Sequence, residues 1–292
     1  MDIDLRDCVS PASFWKPDRI VEPHSWIEHI PFAFWVVGSL QPSAVVELGS
    51  LSGNSFFAFC QAAMRHHTKT RLTAIDTWQG DEHAGSYGEE IFIDFRRYRD
   101  AHFCESTDML RCTFDAARPR FASKSIDLLH IDGLHTYEAV RHDFETWLDA
   151  MSDRGVVLFH DTAITAGDFG VWRLWEELSH RYPTFEFKHG NGLGVLSVGG
   201  SIPDQTAQLF ELSENEAATL RSLYSCLGRA ICDWEREAAI LRRRLFEIET
   251  SRSWKISCIL ANAANFLRRR RSAQGTRVAV PDWTPTDLSR ER

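Results

Sequence analysis

The sequence predicts an α/β fold, in which a doubly wound, mainly parallel sheet ends in a C-terminal hairpin and is followed by a long helix. Two observations carry this prediction. Short apolar runs alternate with stretches long enough for crossover helices, which is typical of a parallel sheet buried on both faces. Beyond Gly200 the apolar residues recur at alternating steps of 3 and 4, the pattern of a coiled-coil seam.

Each strand of the sheet is predicted by its own apolar run. The five strands of the parallel part are assigned to 44–48, 71–76, 109–112, 126–132 and 156–161. The clearest crossover helix covers 137–151, because its apolar residues share one face. The runs 185–189 and 193–199 flank a Gly-Asn-Gly turn and predict the closing hairpin.

The composition narrows the class of protein. The chain has 292 residues, of which 43% are hydrophobic, so a large core can form without disulfides or structural metal. Its seven cysteines are odd in number and contain no CxxC pair, which favours a reducing, cytoplasmic location. The net charge of −8 argues against nucleic-acid binding. The N-terminus is acidic and no apolar stretch is long enough to span a bilayer, so we expect neither a signal peptide nor a membrane span.

The C-terminal third predicts two kinds of contact outside the sheet. The seam between Ala217 and Ile248 predicts a homodimeric coiled coil; a helix packed on its own domain is the alternative interpretation. Residues 251–271 combine an apolar stripe, Trp254 and four arginines at 268–271, which is typical of a helix lying on anionic lipid. A partner-binding or solvated basic end is the alternative.

We therefore expect five segments. They are an N-terminal extension (1–27), an α/β cofactor-binding domain (28–200), a coiled-coil helix (201–250), a basic amphipathic helix (251–271) and a disordered tail (272–292).

Two motifs predict a cofactor site. An apolar strand runs into Glu47, followed by Gly49 and Gly53 in a tight turn before the next helix, and the second strand ends in Asp76. Glycines there let a ligand approach the backbone, and an acid at the second strand end can accept ribose hydroxyls. This arrangement resembles the class I S-adenosylmethionine methyltransferases. The resemblance implies that Gly49 and Gly53 hold the methionine part, Asp76 holds the ribose, and Glu47 supports the turn; a dinucleotide cofactor is the weaker alternative.

A third motif predicts a metal. Asp132 ends one strand with His135 three residues later, and His160 and Asp161 end the next strand. Neighbouring strands lie about 4.8 Å apart, so the two carboxylates converge at the ligand edge of the sheet. Two such carboxylates repel unless a proton or a cation lies between them. Oxygen ligands favour Mg²⁺.

This constellation resembles the metal-dependent sugar O-methyltransferases that methylate macrolide deoxysugars, over about residues 28–199. The resemblance implies that Asp132 and Asp161 bind Mg²⁺ and that His135 is the catalytic base. The chain departs from it at His160, where the macrolide enzymes have an acid. Imidazole is a poorer ligand for Mg²⁺, so His160 is either a ligand to Mn²⁺ or Fe²⁺ or a residue next to the ligands.

The polar loop 78–90 between two strands is predicted to close over the acceptor, with Asp81, His83 and Tyr87 touching sugar hydroxyls; a solvated loop is equally compatible. We expect an enzyme that methylates a glycan or glycolipid. Ser251, Ser253 and Trp254 also resemble the SxSWR-type ends of some bacterial polysaccharide-assembly enzymes. The alternatives are an Fe(II)-dependent hydroxylase-like enzyme with the same ligands, and a membrane-associated scaffold for glycosyltransferases.

Overall fold

The computed structural model describes residues 5–83 and 85–272. Its strands, numbered along the chain, are β1 (Ala44–Leu48), β2 (Arg71–Asp76), β3 (Gly80–Asp81), β4 (Gly85–Ser86), β5 (Thr107–Arg111), β6 (Ile126–Ile131), β7 (Met151–His160), β8 (Thr184–Phe187) and β9 (Leu193–Ser197). The α-helices are α1 (Ile30–Leu40), α2 (Asn54–Arg65), α3 (Glu89–His102), α4 (Phe114–Ala117), α5 (Tyr137–Leu148), α6 (Val171–Ser179), α7 (Asp204–Ala207), α8 (Glu214–Thr250) and α9 (Arg252–Ser272). Short 3₁₀ helices occupy Leu5–Cys8, Pro11–Phe14, Ile27–His29, Arg118–Arg120 and Gln208–Phe210.

Seven strands form one sheet in the order β5-β2-β1-β6-β7-β9-β8, while β3 and β4 form a separate two-stranded ribbon. The pairs from β5 to β7 are parallel, and β9 runs antiparallel to both β7 and β8. The doubly wound sheet with a closing hairpin is confirmed. Because successive strands are parallel, the carboxyl ends of β1, β2, β6 and β7 meet at one edge, where α/β folds bind ligands.

One strand and one helix of the sheet domain differ from the predicted bounds by three or more residues, while other strand ends shift by one or two. Strand β7 begins at Met151 rather than at residue 156, because Met151 pairs with Ile126 and a register shift separates that pair from Leu128 and Val156. For the same reason, helix α5 ends at Leu148 instead of continuing to 151.

The sheet is buried on both faces. Helices α1 and α2 cover one face, with Trp35, Phe56 and Phe59 among its fully buried side chains. Helices α5 and α6 cover the other face through Phe144, Trp147 and their neighbours. Helix α1 is buried nearly all round, which explains its high apolar content without any membrane role.

The described chain divides into two compact units, one up to Glu235 and one from Arg236 onward. In the first, Ala217, Leu220 and Tyr224 are buried in the core, and the Tyr224 hydroxyl donates to the Cys8 carbonyl oxygen at 2.9 Å. The predicted coiled-coil seam therefore divides: its N-terminal part packs on its own domain, as in the alternative interpretation. The helix also begins at Glu214 rather than near 201, because α7 and a 3₁₀ turn precede it.

The second unit contains the end of α8 and helix α9. Leu241, Leu245 and Ile248 of the predicted seam are at least half exposed. On α9, Trp254 and its apolar neighbours Ile256, Ile259 and Leu260 are also exposed. Within residues 5–83 and 85–272, no helix has both the length and the apolar character needed to cross a membrane. The predicted disordered tail lies outside the described residues, apart from Ser272, which ends α9.

Candidate active site

A cavity of about 490 Å³ opens at the carboxyl edge of the sheet. Of the eleven side chains or glycines predicted from the sequence, nine line it: Gly49, Asp76, Asp81, His83, Tyr87, Asp132, His135, His160 and Asp161. Glu47 and Gly53 lie beside the cavity without lining it. The structure therefore brings two of the four predicted cofactor residues, Gly49 and Asp76, to one cavity with the predicted metal residues.

Gly49 closes the end of β1 against its neighbours. Its φ of +86° is a conformation that glycine adopts readily, and a Cβ there would lie 2.0 Å from the carbonyl oxygen of Asp132. Its amide donates to the carbonyl of Ile75 at 2.9 Å. Any side chain at this position would push apart the ends of β1 and β6. Gly53 has a different role, because a Cβ there would collide with the rings of Phe57 and Phe95.

Asp76 holds the turn after β1 in place. Its Oδ2 accepts backbone N–H groups of Ser50 and Leu51, each at 2.9 Å, and its Oδ1 accepts that of Trp78 at 2.6 Å. Burial raises the pKa of Asp76, although the three amide donors oppose the shift. A carboxylate has about four acceptor positions, so one is left for a ribose hydroxyl. The ribose contact stays a prediction.

Below the cavity, Glu47 belongs to a buried polar chain that the sequence did not indicate. The indole N–H of Trp26 donates to Nε2 of His130 at 3.0 Å, so Nε2 is an acceptor. The remaining ring proton is then on Nδ1, which donates to Glu47 Oε2 at 2.9 Å. Glu47 and His130 face each other across the β1–β6 pair. This series of hydrogen bonds ties Trp26 in the N-terminal segment to β6 and β1. Trp26 and His130 are 104 residues apart in the sequence, which explains why sequence patterns did not reveal the contact.

The predicted metal residues converge. One potential ligand atom from each of Asp132, His135 and Asp161 lies within 4.8 Å of the others. His135 Nε2 is 2.9 Å from Asp161 Oδ2 and 3.4 Å from Asp132 Oδ1. The backbone of Asp161 is left-handed, with φ of +63°, which is uncommon for a residue other than glycine. Strained backbone of this kind clusters at functional sites.

His160 adds a fourth group to this cluster. Its Nε2 donates to the carbonyl of Gly190 at 3.2 Å, so Nδ1 faces Asp132 Oδ1 at 3.2 Å and Asp161 Oδ1 at 3.4 Å. The same carbonyl accepts from Nε2 of the buried His29 at 2.9 Å. His29 therefore holds the same Gly190 carbonyl that His160 contacts. No sequence pattern indicated this role of His29.

The charges in the cluster oppose one another. Burial alone raises the pKa of Asp132, but His160 and His135 outweigh it and hold the pKa well below its usual range. Burial lowers the pKa of His135, yet the hydrogen bonds to Asp132 and Asp161 raise it to about 10. Burial likewise lowers the pKa of His160, and the nearby carboxylates reverse the shift, so that it is raised.

The donor set fits a divalent cation. Among the described residues, Asp161 Oδ1 is buried without a hydrogen-bond partner. Two carboxylates would neutralise the charge of the cation, and the ring nitrogens facing them are suitable further ligands. Oxygen with nitrogen ligands is compatible with Mg²⁺ and better matched to Mn²⁺ or Fe²⁺.

His83 reaches the cluster from the β3–β4 ribbon. Its Nδ1 is 3.3 Å from Nδ1 of His135, and its Nε2 is 2.8 Å from Asp168 Oδ1. Both ring nitrogens are therefore occupied, which leaves neither for the sugar hydroxyl predicted from the sequence. Asp81 accepts the backbone N–H of His83 at 2.8 Å and lines the cavity together with Tyr87. Sugar contacts of Asp81 and Tyr87 stay predictions.

Comparison with known proteins finds a similarity over the α/β domain. Residues 46–162 match the family model described as "Methyltransferase domain". An uncharacterized protein, y4gI, of Sinorhizobium fredii is 44% identical over 189 residues, which are 64% of this chain and 21% of that protein. The chain thus spans about a fifth of the length of this curated relative.

Solved structures with likeness to the chain include the SAH-bound methyltransferase PaMTH1 of Podospora anserina, at 12% identity, a TM-score of 0.44, and coverage of 57% of this chain and 76% of that one. A methyltransferase of Geobacter sulfurreducens is 17% identical with a TM-score of 0.44, covering 58% of this chain and 77% of that one. The fold class itself rests on the observed strand order. Residues 46–162, which extend from β1 to just beyond β7, are therefore similar to a methyltransferase domain.

Proposed function

We propose that the protein is a divalent-metal-dependent O-methyltransferase that acts on a sugar hydroxyl of a glycan or glycolipid. The observation that carries the proposal is the shared cavity. Gly49 and Asp76 line it at the end of β1 and β2, and Asp132, His135 and Asp161 line it at the end of β6 and β7. A methyl donor and a metal-held acceptor would thus meet in one enclosed space, where proximity alone supplies much of the rate.

The turn after β1 would hold the cofactor. Gly49 lines the cavity where it packs against the Asp132 carbonyl, and Asp76 fixes the Ser50 and Leu51 amides that shape the turn. S-adenosylmethionine supplies the activated methyl group when bound. The chain's contribution here is orientation and exclusion of water.

Asp132 and Asp161 would hold the cation, with Nδ1 of His160 as a further ligand, because the Gly190 carbonyl fixes the His160 ring by its other nitrogen. A cation held there lowers the pKa of a chelated hydroxyl. Mg²⁺ is the simplest candidate, and the imidazole ligand makes Mn²⁺ or Fe²⁺ the alternatives.

His135 would accept the hydroxyl proton once a cation occupies Asp132 and Asp161, because the hydrogen bonds to these two carboxylates are what raise its pKa. Its Nε2 faces the two carboxylates at 2.9 and 3.4 Å, so an acceptor hydroxyl held beside them comes within reach of this nitrogen. No covalent enzyme intermediate is required. Asp81 and Tyr87, on the ribbon side of the cavity, would contact the remaining hydroxyls of the sugar.

The class of acceptor and the partners are proposals as well. The sugar is favoured by the sequence resemblance and by the polar ribbon segment at the cavity.

The exposed Leu241, Leu245 and Ile248 support pairing of two copies, now confined to the end of α8. The exposed Trp254 with its apolar neighbours supports peripheral contact of α9 with the cytoplasmic face of a membrane. No nucleic acid is part of this account.

The test is methyl transfer from labelled S-adenosylmethionine to a panel of deoxysugar glycosides and lipid-linked sugars, with Mg²⁺, Mn²⁺ or EDTA. We expect transfer that EDTA abolishes and metal restores. Asp132→Asn should remove transfer and leave S-adenosylhomocysteine binding intact. Asp153→Asn, the same chemical change at a carboxylate whose side chain is 73% exposed, is the matched control. Transfer unaffected by EDTA would refute the metal dependence.

One observation favours a second candidate. The cluster contains two imidazoles beside two carboxylates, and imidazole with carboxylate ligands suits non-haem Fe²⁺. An Fe(II)-dependent hydroxylase would consume O₂ when Fe²⁺, an acceptor and a two-electron reductant are supplied in the absence of S-adenosylmethionine. Absence of such consumption would remove this candidate.

A further inference from the structure

We infer that His83 is a positioning residue, which together with Asp168 orients the ring of His135. The inference rests on the proposed function, since it assigns a role relative to the proposed base. It also replaces the sugar contact predicted for His83.

The hydrogen-bond directions follow from the acceptors. The carboxylate of Asp168 can only accept, so Nε2 of His83 carries a proton and donates to it at 2.8 Å. In a neutral imidazole the other nitrogen is then an acceptor. Nδ1 of His83 therefore accepts the proton on Nδ1 of His135, across 3.3 Å. The order of the network is His135 to His83 to Asp168.

This order of hydrogen bonds determines which ring nitrogen of His135 faces Asp132 and Asp161. Because carboxylates only accept, Nε2 of His135 also carries a proton where it faces Asp161 Oδ2 at 2.9 Å, so the ring donates at both nitrogens. Since His83 holds the proton on Nδ1, Nε2 is the nitrogen that gives up and takes back a proton beside Asp132 and Asp161. Without His83, the Nδ1 proton of His135 loses its acceptor, and either ring nitrogen can be the one that exchanges its proton. Such partners of a functional histidine fix both its tautomer and its ring orientation.

The network is held rigid from two loops. The ring of Phe169 lies nearly parallel to both imidazoles, with centroids 4.5 Å from His83 and 4.9 Å from His135. The amide of Gly170 donates to the carbonyl of His135 at 2.7 Å, which anchors the loop that carries Asp168 and Phe169. The side chain of His83 is only 8% exposed, whereas that of Asp168 is 68% exposed. Asp168 should therefore contribute less than His83.

The variants are His83→Phe, which keeps a flat ring for stacking on Phe169, and Asp168→Asn. We expect His83→Phe to lower kcat by about 10- to 100-fold, with KM for S-adenosylmethionine changed less than about twofold. Asp168→Asn should have a smaller effect, and none when added to His83→Phe. The control pair is His142→Phe and Asp115→Asn, which break another His–Asp contact that is exposed on both sides and belongs to helices α5 and α4. A kcat within twofold of wild type for His83→Phe would overturn the inference, and so would an additive double variant.

A spectroscopic readout separates this inference from the proposed function. In the apoprotein, nuclear magnetic resonance of the imidazole groups should show a slowly exchanging Nδ1 proton on His135, absent in His83→Phe and retained in His142→Phe. The result does not require turnover. If wild type shows no methyl transfer but the Nδ1 proton behaves as stated, the proposed function fails and the network stands. If the Nδ1 proton persists in His83→Phe, the network is refuted.

Discussion

Asp143 offers a quantitative test of how burial shapes this domain. It lies on α5, is 7% exposed, and its carboxylate is 3.5 Å from the position of a Cβ on Gly133 in the loop after β6. Burial raises the pKa of Asp143 from its ordinary value of 3.8 to about 7, with a small opposing effect of His142. We predict that the free energy of unfolding of Asp143→Asn, relative to that of wild type, is larger at pH 8 than at pH 5.

The sign follows from proton binding. Between pH 4 and 7 the folded state keeps the proton on Asp143 while the unfolded state has lost it, so raising the pH in this window weakens the fold. A difference of about 3 pKa units between the folded and unfolded states corresponds to about 4 kcal/mol of stabilisation by protonated Asp143 at low pH. About 1.6 kcal/mol of this stabilisation is already lost at pH 5. The free energy of unfolding of Asp143→Asn relative to wild type should thus rise by about 2 to 3 kcal/mol from pH 5 to pH 8.

The assay is urea unfolding of both proteins at pH 5, 6, 7 and 8, followed by fluorescence. Only the difference between variant and wild type is interpreted, because other groups titrate equally in both. Asp153→Asn serves as the exposed control and should show no pH-dependent difference. A difference between Asp143→Asn and wild type that is constant within about 0.5 kcal/mol across these pH values would refute the reasoning.

Three further predictions concern the cavity and its surroundings. Trp26→Phe leaves Nε2 of the buried His130 without its donor, so unfolding should become easier by about 1 to 3 kcal/mol in a denaturant titration; an unchanged midpoint would contradict the role of this hydrogen bond. Gly49→Ala places a Cβ 2.0 Å from the Asp132 carbonyl oxygen, so the affinity for S-adenosylhomocysteine, measured by calorimetry, should fall more than about tenfold. The control is Gly200→Ala, where a Cβ meets no atom within 4 Å and the affinity should equal that of wild type. Leu241→Glu with Leu245→Glu should convert a dimer to a monomer in light scattering without loss of cofactor binding; a wild-type monomer at micromolar concentration would contradict the pairing.

The sheet and the convergence of the site could be predicted from the sequence because both follow from local patterns. An apolar run of five or six residues predicts a buried strand, and parallel strands carry the residues after them to one edge. That reasoning places Asp132 and Asp161 together at the carboxyl edge of the sheet. It also identified Gly49, whose φ is +86°.

Contacts between distant segments could not be predicted in this way. Trp26 reaches His130, and His83 reaches Asp168, across 104 and 85 residues, and no periodicity links the partners. The seam of α8 shows a second limit. Apolar residues spaced alternately by 3 and 4 occur both in a helix that pairs with a partner chain and in a helix that packs on its own domain. Tyr224 therefore fits the pattern although it is buried in the core of its own domain.

We propose that one cavity holds both the cofactor and a cation. The most direct measurement is a calorimetric titration of the protein with S-adenosylhomocysteine and with Mn²⁺, in wild type and in the double variant Asp132→Asn, Asp161→Asn. We expect wild type to bind both ligands, and the double variant to lose Mn²⁺ while binding S-adenosylhomocysteine with an affinity within about threefold, or about 0.7 kcal/mol, of wild type. Failure of wild type to bind S-adenosylhomocysteine, or retention of Mn²⁺ by the double variant, would contradict the claim.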